Sequence, residues 1–137
     1  MATSFSLKIV SPDGLIFDGQ AEKLVVRTTT GDLGIMAHHM NCVCPLGMGK
    51  AIMEAEGQRR EAACIGGMVS VVNGEVTLVP TTFEWADKID TDRAEASYQR
   101  AQKVLQNKSA SDTDLRMAEA RLKRALVRKS VASGTKF

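Results

Sequence analysis

The feature that most constrains the fold of this chain is a change in local composition after Pro80. Up to about residue 85, short β-prone runs alternate with turn signals. SPDG, residues 11–14, is one such signal, and Asn73-Gly74 between two Val-rich runs is the clearest hairpin signal. Eight or more short strands at this spacing predict a sandwich or a flattened barrel, not βαβ units.

The remaining third of the chain has the composition of helices. Residues 90–106 contain no Gly or Pro and are rich in Ala, Glu, Gln, Lys and Arg. Asp90 or Asp92 can cap the first helix, and Glu95 follows Asp92 by three residues, as in a capping box. A polar stretch follows, and a second helix is predicted over roughly 114–129, capped by Asp112 or a neighbour. The pattern therefore predicts two domains, residues 1–85 and an αα-hairpin over residues 86–137.

The predicted contact surface between the two helices is made largely of alanine. Its expected members are Ala94, Ala101, Val104 and Leu105 on the first helix and Leu115, Ala118, Leu122 and Ala125 on the second. Alanine buries little area, and apolar burial stabilises by only about 25 cal/mol per Å². Such a hairpin could open at modest cost, which would permit a switch.

Composition places the chain among ordinary globular proteins. It has 137 residues, of which 44% are hydrophobic and 25% charged. No apolar run approaches the roughly 20 residues that span a bilayer. The beginning, MATSFSLKIV, has neither a long apolar segment nor an arginine-rich one, so we expect a protein in the cytosol or facing it.

The charges are distributed unevenly along the chain. Residues 1–88 hold 7 basic and 10 acidic side chains, a net of −3, whereas residues 89–137 hold 11 basic and 6 acidic, a net of +5. This asymmetry favours an acidic partner or an anionic ligand for the C-terminal part, although a solvated helix face is an equal alternative. A nucleic-acid binder is disfavoured, because four Phe, one Tyr and one Trp offer few stacking platforms.

The cysteine pattern predicts neither a disulfide framework nor a metal site. Cys42, Cys44 and Cys64 are odd in number, and no export signal accompanies them. His38 and His39 are adjacent to this region, but the spacing differs from that of zinc sites. An enzyme that uses zinc or a thiolate at these histidines and at Cys42 and Cys44 remains an alternative, which metal analysis and thiol titration would test.

Four arginines occur at helical spacing. Arg93 and Arg100 are seven residues apart and share one face of the first helix, and Arg124 and Arg128 are one turn apart on the second. If the two faces converge, the guanidinium groups would bind a multivalent anion such as a phosphate chain. If they do not, the arginines are solvated charges of small energetic effect.

Several stretches together resemble one known family. They are KIVSPDGLIFDGQAEKLVV, GDLGIMAHHM, CIGGMVSVVNGEVTLV and, most specifically, IDTDRA at residues 89–94. In their order and spacing they resemble the epsilon subunit of bacterial and chloroplast-type F-type ATP synthase over nearly the whole chain. IDTDRA fits the family's ATP-binding motif of Ile or Leu, Asp, two free positions, Arg and Ala. Ala37-His38 stands where the family usually has Pro-Gly.

The resemblance implies an α+β fold, with an N-terminal β-sandwich of about ten strands and a C-terminal antiparallel helical hairpin. It implies a non-catalytic subunit at the cytoplasmic face of the cell membrane, peripheral to the membrane, that binds the gamma subunit and the c-subunit ring. Such a subunit couples proton-driven rotation to ATP synthesis. Its hairpin inhibits ATP hydrolysis by reaching the alpha and beta subunits, where the beta subunits carry the catalytic sites.

The resemblance also implies the site residues. No cofactor, metal or nucleic acid is expected, and ATP is expected as a regulatory ligand. The adenosine end would contact Ile89, Asp90, Arg93 and Ala94, with Glu84 as an acidic position just before the motif, and the phosphates would face Arg100, Arg124 and Arg128. The loop expected to contact the c-ring contains Asp32, His38 and His39. The alternative is a purely structural rotor-coupling subunit without a nucleotide site.

Overall fold

A computed structural model describes residues 3–134 of the chain. These residues form eight strands, one 3₁₀ turn and two α-helices, and the chain divides into two compact units between Trp85 and Ala86. The strands are β1 (Phe5–Ser11), β2 (Gly14–Ala21), β3 (Lys23–Thr28), β4 (Gly31–Ile35), β5 (Cys42–Pro45), β6 (Met48–Ala55), β7 (Gln58–Val72) and β8 (Glu75–Trp85). The 3₁₀ turn is Ala86–Lys88, and the helices are α1 (Thr91–Gln106) and α2 (Asp112–Ser133).

The first unit is a β-sandwich whose two layers share β7 and β8. The strands are hydrogen-bonded in the order β2-β1-β8-β7-β6-β3-β4, and β5 pairs with β7. Along one edge, β7 pairs with β6 through residues 58–65 and then with β5 through residues 68–71, while β8 pairs along its other edge. The long strands therefore pass from one layer into the other.

The core of the sandwich follows from simple alternation. In β1, Phe5, Leu7 and Ile9 are buried while Ser6 and Lys8 are exposed, as a strand with one face on the core requires. Buried side chains from both layers belong to one hydrophobic cluster, which also includes Leu24, Val26, Ile35, Val69, Val71 and Leu78.

The predicted α+β fold, a β-sandwich followed by a helical hairpin, is confirmed, and only the strand count differs. The resemblance implied about ten strands, whereas the described residues form eight. The difference arises because β7 and β8 run for 15 and 11 residues and pair with each other along most of their length. Each of them is one continuous strand, although its two halves could be counted as two shorter strands. The prediction of eight or more strands from turn spacing is confirmed.

Both turn signals lie between strands that pair with each other, and the hairpin predicted at Asn73-Gly74 is confirmed. Ser11 pairs with Gly14 across the first turn, and Val72 pairs with Glu75 across the second. Asn73 and Gly74 have φ values of 50° and 82°, the left-handed conformations that a two-residue hairpin turn of type I′ requires.

The second unit is an antiparallel helical hairpin with clear N-caps. The Asp90 carboxylate accepts a hydrogen bond from the Arg93 backbone N–H at 3.0 Å, and the Ser111 hydroxyl accepts one from the Asp114 N–H at 3.1 Å. The prediction of a capping box at Asp92 and Glu95 is wrong, because the N-cap residue is Asp90, two residues before Asp92. The second helix extends to Ser133, four residues beyond the prediction, and Gly134 with φ 73° ends it.

The contact surface between the helices is smaller in side-chain volume than the sequence predicted. Ala94, Ala101, Ala118 and Ala125 are buried as expected. Leu105 is exposed, and Leu115 and Leu122 are only half-buried, so these three contribute less than predicted. Val127 and Val131 are also buried, but they lie on a different face of α2 from Ala118 and Ala125 and so do not add to this contact surface. The prediction that this contact surface is made largely of alanine is confirmed.

Candidate functional site

The candidate site is a groove of about 420 Å³ on the helical hairpin. This volume lies within the range of small-molecule sites in proteins, roughly 300–1,000 Å³. Its lining contains four arginines and no acidic residue: Ser97, Arg100, Ala101, Val104, Ala118, Arg121, Arg124 and Arg128. A concave surface with this charge favours an anionic ligand.

Antiparallel packing of the two helices produces the groove. Small side chains at Ala101 and Ala118 leave space between them. Near the other end of the hairpin, the Lys129 ammonium lies 2.6 Å from a Glu95 carboxylate oxygen and 4.2 Å from the centre of the Tyr98 ring. These contacts hold the end of α2 beside the start of α1. Hydrogen bonds from Gln99 and Lys129 lower the pKa of Glu95, which favours its charged form.

All three of the predicted phosphate-facing arginines line the groove. Arg100 comes from α1, and Arg124 and Arg128 come from α2. Arg100 is exposed, and the other two are half-buried. Within residues 3–134, no carboxylate forms an ion pair with Arg100 or Arg124. These two charges are thus available to a ligand.

The IDTDRA motif has a structural role at the beginning of α1. Asp90 is the N-cap, and its backbone carbonyl also accepts from the Ala94 N–H at 3.0 Å. Ile89 and Ala94 are buried, and Arg93 is exposed. None of these four residues lines the groove. The motif thus fixes the start of the helix that carries Arg100, two turns further along.

Glu84 lies elsewhere in the chain, near the end of β8. It pairs with Ala63 of β7 in the sheet register and is half-buried. It belongs to the sandwich unit, whereas the groove belongs to the hairpin. Its expected role beside the nucleotide motif stays a prediction.

Arg121 lines the groove but was not among the predicted residues. It precedes Arg124 by three positions and Arg128 by seven, so the three share one face of α2. That helical spacing is visible in the sequence and could have identified it. The prediction from helical spacing included only Arg124 and Arg128 on this helix, and the family resemblance did not add Arg121.

Of the three residues expected in the loop that contacts the c-ring, His38 and His39 lie in the loop after β4, whereas Asp32 lies within β4 itself. Asp32 forms an ion pair with Arg27 of β3, with 2.9 Å between Arg27 Nε and the carboxylate. His38 has φ 67°, the left-handed region that glycine favours, at the position where the family usually has glycine. Neighbouring His39 has its Nδ1 atom 2.8 Å from the Met40 carbonyl oxygen. The loop therefore has a glycine-like turn without the glycine.

The three cysteines are free thiols. Cys42 Sγ lies 4.0 Å from Nδ1 of His39, but burial and the neighbouring Cys44 raise the pKa of the Cys42 thiol. A raised pKa is opposite to what a nucleophilic thiolate needs. Among residues 3–134, no three His, Cys, Asp or Glu side chains are placed so that they could hold a metal ion. In the same range, no helix is long and apolar enough to cross a bilayer.

Comparison with protein families gives matches that cover nearly the whole chain. Residues 4–86 match the β-sandwich domain of the ATP synthase delta/epsilon chain, and residues 87–133 match its long α-helix domain.

Several bacterial proteins called ATP synthase epsilon chain are similar in sequence. The one from Caldicellulosiruptor bescii is 37% identical over 132 residues, which cover 96% of each chain. The one from Bacillus velezensis is 41% identical over 126 residues, covering 92% of this chain and 95% of the relative. A third, from Alkaliphilus oremlandii, is 45% identical over 105 residues, or 77% and 78% of the two chains.

Two solved structures share the fold at low sequence identity. A chain of the Euglena gracilis mitochondrial ATP synthase gives a TM-score of 0.82 at 21% identity, covering 93% of this chain and 80% of that one. A chain from the central stalk and c-ring structure of the Tetrahymena thermophila mitochondrial ATP synthase gives 0.61 at 13% identity, covering 93% and 95%.

Proposed function

Because this chain belongs to the ATP synthase delta/epsilon chain family and is an epsilon-type subunit of the central stalk, we propose that its helical hairpin binds ATP and thereby regulates ATP hydrolysis by the complex. The observation that carries the proposal is the groove between α1 and α2. Arg100, Arg124 and Arg128, from two helices, line it without an acidic residue among them. Convergent guanidinium groups are suited to the planar, multiply charged oxygens of a phosphate chain.

Regulation follows from where the ligand binds. A ligand that contacts both α1 and α2 binds the closed hairpin and not the opened one. It stabilises the closed state by RT ln(1 + [L]/Kd), about 2.7 kcal/mol when ATP is at 100 times its Kd. The contact surface between the helices is built largely of alanine, which contributes little free energy of burial. A contribution of this size from the ligand is therefore large by comparison. Abundant ATP would keep the hairpin closed, and scarce ATP would release it.

The proposed partners are those of a rotor subunit. The sandwich would bind the gamma subunit, and it would contact the c-subunit ring through Asp32 of β4 and through His38 and His39 of the loop that follows. The released hairpin would reach the alpha and beta subunits and inhibit rotation. Its net charge of +5 over residues 89–137 suits an acidic partner. The subunit would lie peripheral to the cytoplasmic face of the membrane and contribute to coupling between proton-driven rotation and ATP synthesis.

The chain itself would not hydrolyse ATP. The groove offers guanidinium groups, a serine and apolar side chains, but no carboxylate or histidine to activate a water molecule. Catalysis would belong to the beta subunits, and ATP would be a ligand of this subunit, not its substrate.

The test is calorimetric titration of the purified full chain with ATP. The native chain should bind one ATP saturably. Arg124→Ala should weaken binding by about ten- to a hundredfold, since a hydrogen bond to a charged group contributes about 1.5–3 kcal/mol. Lys123→Ala is the matched control: it removes the same charge from the adjacent position, where the ammonium lies 3.6 Å from Glu119 and outside the groove.

The same titration distinguishes the alternative. Equal binding by the native chain and both variants would place ATP outside the groove. No binding at millimolar ATP would leave a purely structural rotor-coupling subunit, whose arginines face protein partners. Circular dichroism of each variant would show that both helices are still formed.

A further inference from the structure

We propose that Cys42 and Cys44 form a binding site for a soft monovalent metal ion of the Cu(I) type at the edge of the β-sandwich. The site lies in the sandwich unit, so it does not depend on the helical hairpin or on the proposed function. Cu(I) and Ag(I) accept linear coordination by two thiolates, whereas a structural zinc site needs four ligands. The cysteine spacing that disfavours zinc therefore does not disfavour a soft monovalent ion.

The two cysteines project from the same face of one strand. They are two residues apart in β5, and side chains alternate between the faces of a strand. The burial pattern agrees, because both cysteines are half-buried while Val43 and Pro45 are exposed. Successive residues rise about 3.4 Å along a strand, so the two Cα atoms are about 6.8 Å apart. Two cysteine side chains can close around one ion at this spacing.

The two thiols also interact with each other. The Cys44 thiol acts on the Cys42 thiol through its charge and through a hydrogen bond. If both thiols lost their protons without a counter-ion, the two negative charges would repel each other. A cation bound between them removes this repulsion, and thiols that bind a metal ion release their protons. The pair is therefore better suited to share one cation than to hold two free thiolates.

The pair lies at an edge of the sandwich that an ion can reach. Among residues 3–134, β5 pairs with β7 and with no other strand. The preceding loop turns back onto the pair, with His39 Nδ1 lying 4.0 Å from Cys42 Sγ. Cys64, by contrast, is 3% exposed and lies in the hydrophobic core. An ion in solution should thus reach Cys42 and Cys44 but not Cys64.

The donors around the pair are those that soft ions prefer. Residues 36–44 read MAHHMNCVC and contain no Asp or Glu. Two thioethers of this segment are largely in solvent, since Met36 is 58% exposed and Met40 is 76% exposed. Thiolates and thioethers select Cu(I), whereas carboxylates suit Mg²⁺ and Ca²⁺. In the described part of the chain no three His, Cys, Asp or Glu side chains are placed to hold one metal ion, so zinc is not expected here.

The test is anaerobic titration of the purified, reduced full chain with Cu(I) in competition with a chromophoric chelator. The native chain should bind one ion. Cys42→Ser and Cys44→Ser should each weaken binding by more than the roughly 10–100-fold that is lost when a partner outside the ligand set is removed. Cys64→Ala is the matched control, because it removes the buried thiol and should bind the ion as tightly as the native chain.

A second measurement needs no variant and so does not depend on how the serine variants fold. Ag(I) has the same ligand preference and does not change its oxidation state. With Ag(I) bound, Cys42 and Cys44 of the native chain should be protected from alkylation by iodoacetamide, as peptide mapping would show. Unprotected thiols, or a Cys42→Ser/Cys44→Ser double variant that binds Cu(I) as tightly as the native chain, would overturn the proposal. Zn²⁺ binding as tight as Cu(I) binding would contradict the assignment of a soft ion.

Discussion

At the residue scale, burial controls the chemistry of Cys64. This residue lies in β7, is 3% exposed, and has no charged partner that would stabilise a thiolate. Burial raises the pKa of its thiol from 9.0 to about 12. The thiol is therefore protonated and inert at neutral pH, and it acts as a small apolar side chain of the sandwich core.

The raised pKa predicts an alkaline loss of stability. Because the folded state holds the proton more tightly, the stabilising effect is fully present below pH 9 and is lost as the pH rises from 9 towards 12. The loss approaches about 1.4 kcal/mol per pH unit in that window. Urea unfolding at pH 8 and pH 10.5 should show a larger fall in the free energy of unfolding for the native chain than for Cys64→Ala. An equal fall in both would contradict a buried thiol with this pKa.

At the scale of elements, Gly67 allows β7 and β8 to approach each other closely. Its φ is +102°, and a Cβ atom there would lie 2.0 Å from the Val79 carbonyl oxygen and 2.7 Å from the Pro80 Cα. These are backbone atoms, which cannot move aside without disturbing the strand pairing. Gly67 lies at the point where the strand that pairs with β7 on the edge opposite β8 changes from β6 to β5.

Substitution of this glycine should therefore damage the sandwich. Gly67→Ala is expected to lower the free energy of unfolding by about 3 kcal/mol or more, from backbone strain and steric overlap together. Gly34→Ala is the control, since a Cβ on that β4 glycine would meet no atom within 4 Å. It should change stability by less than about 1 kcal/mol. Urea unfolding of both variants measures the difference, and similar values for the two would refute this interpretation.

Elements with local signals were predictable from the sequence. The hairpin turn at Asn73-Gly74 requires only positive φ angles at these two residues. Asp90 caps α1 by accepting a hydrogen bond from a residue only three positions away. The partners of β7 were not predictable, because they depend on residues far apart in the chain. The end of α2 at Ser133 was missed for a related reason: it is decided by packing and by Gly134, not by helix propensity.

The candidate site was predictable only in part. Helical spacing indicated that Arg124 and Arg128 share a face and that Arg93 and Arg100 do likewise. Whether these faces converge depends on the register of the two helices, which the sequence does not show. In the structure Arg100 lines the groove, Arg93 does not, and Arg121 does.

At the scale of the whole molecule, the chain combines two units with different physical character. The sandwich has a continuous core of Leu, Ile and Val side chains, whereas the hairpin is closed largely by alanines. The charges are divided in the same way, with a net of −3 over residues 1–88 and +5 over residues 89–137. A ligand that binds in the groove should therefore affect the hairpin far more than the sandwich.

The central claim is that ATP stabilises the closed hairpin, and hydrogen exchange of the full chain with and without ATP tests it most directly. With ATP, the amides of Thr91–Gln106 and Asp112–Ser133 should exchange several-fold more slowly, because opening must first release the ligand. Exchange in β1 to β8 should not change, and Arg124→Ala should remove the effect. If the helices exchange at the same rate with and without millimolar ATP, the hairpin does not respond to this nucleotide.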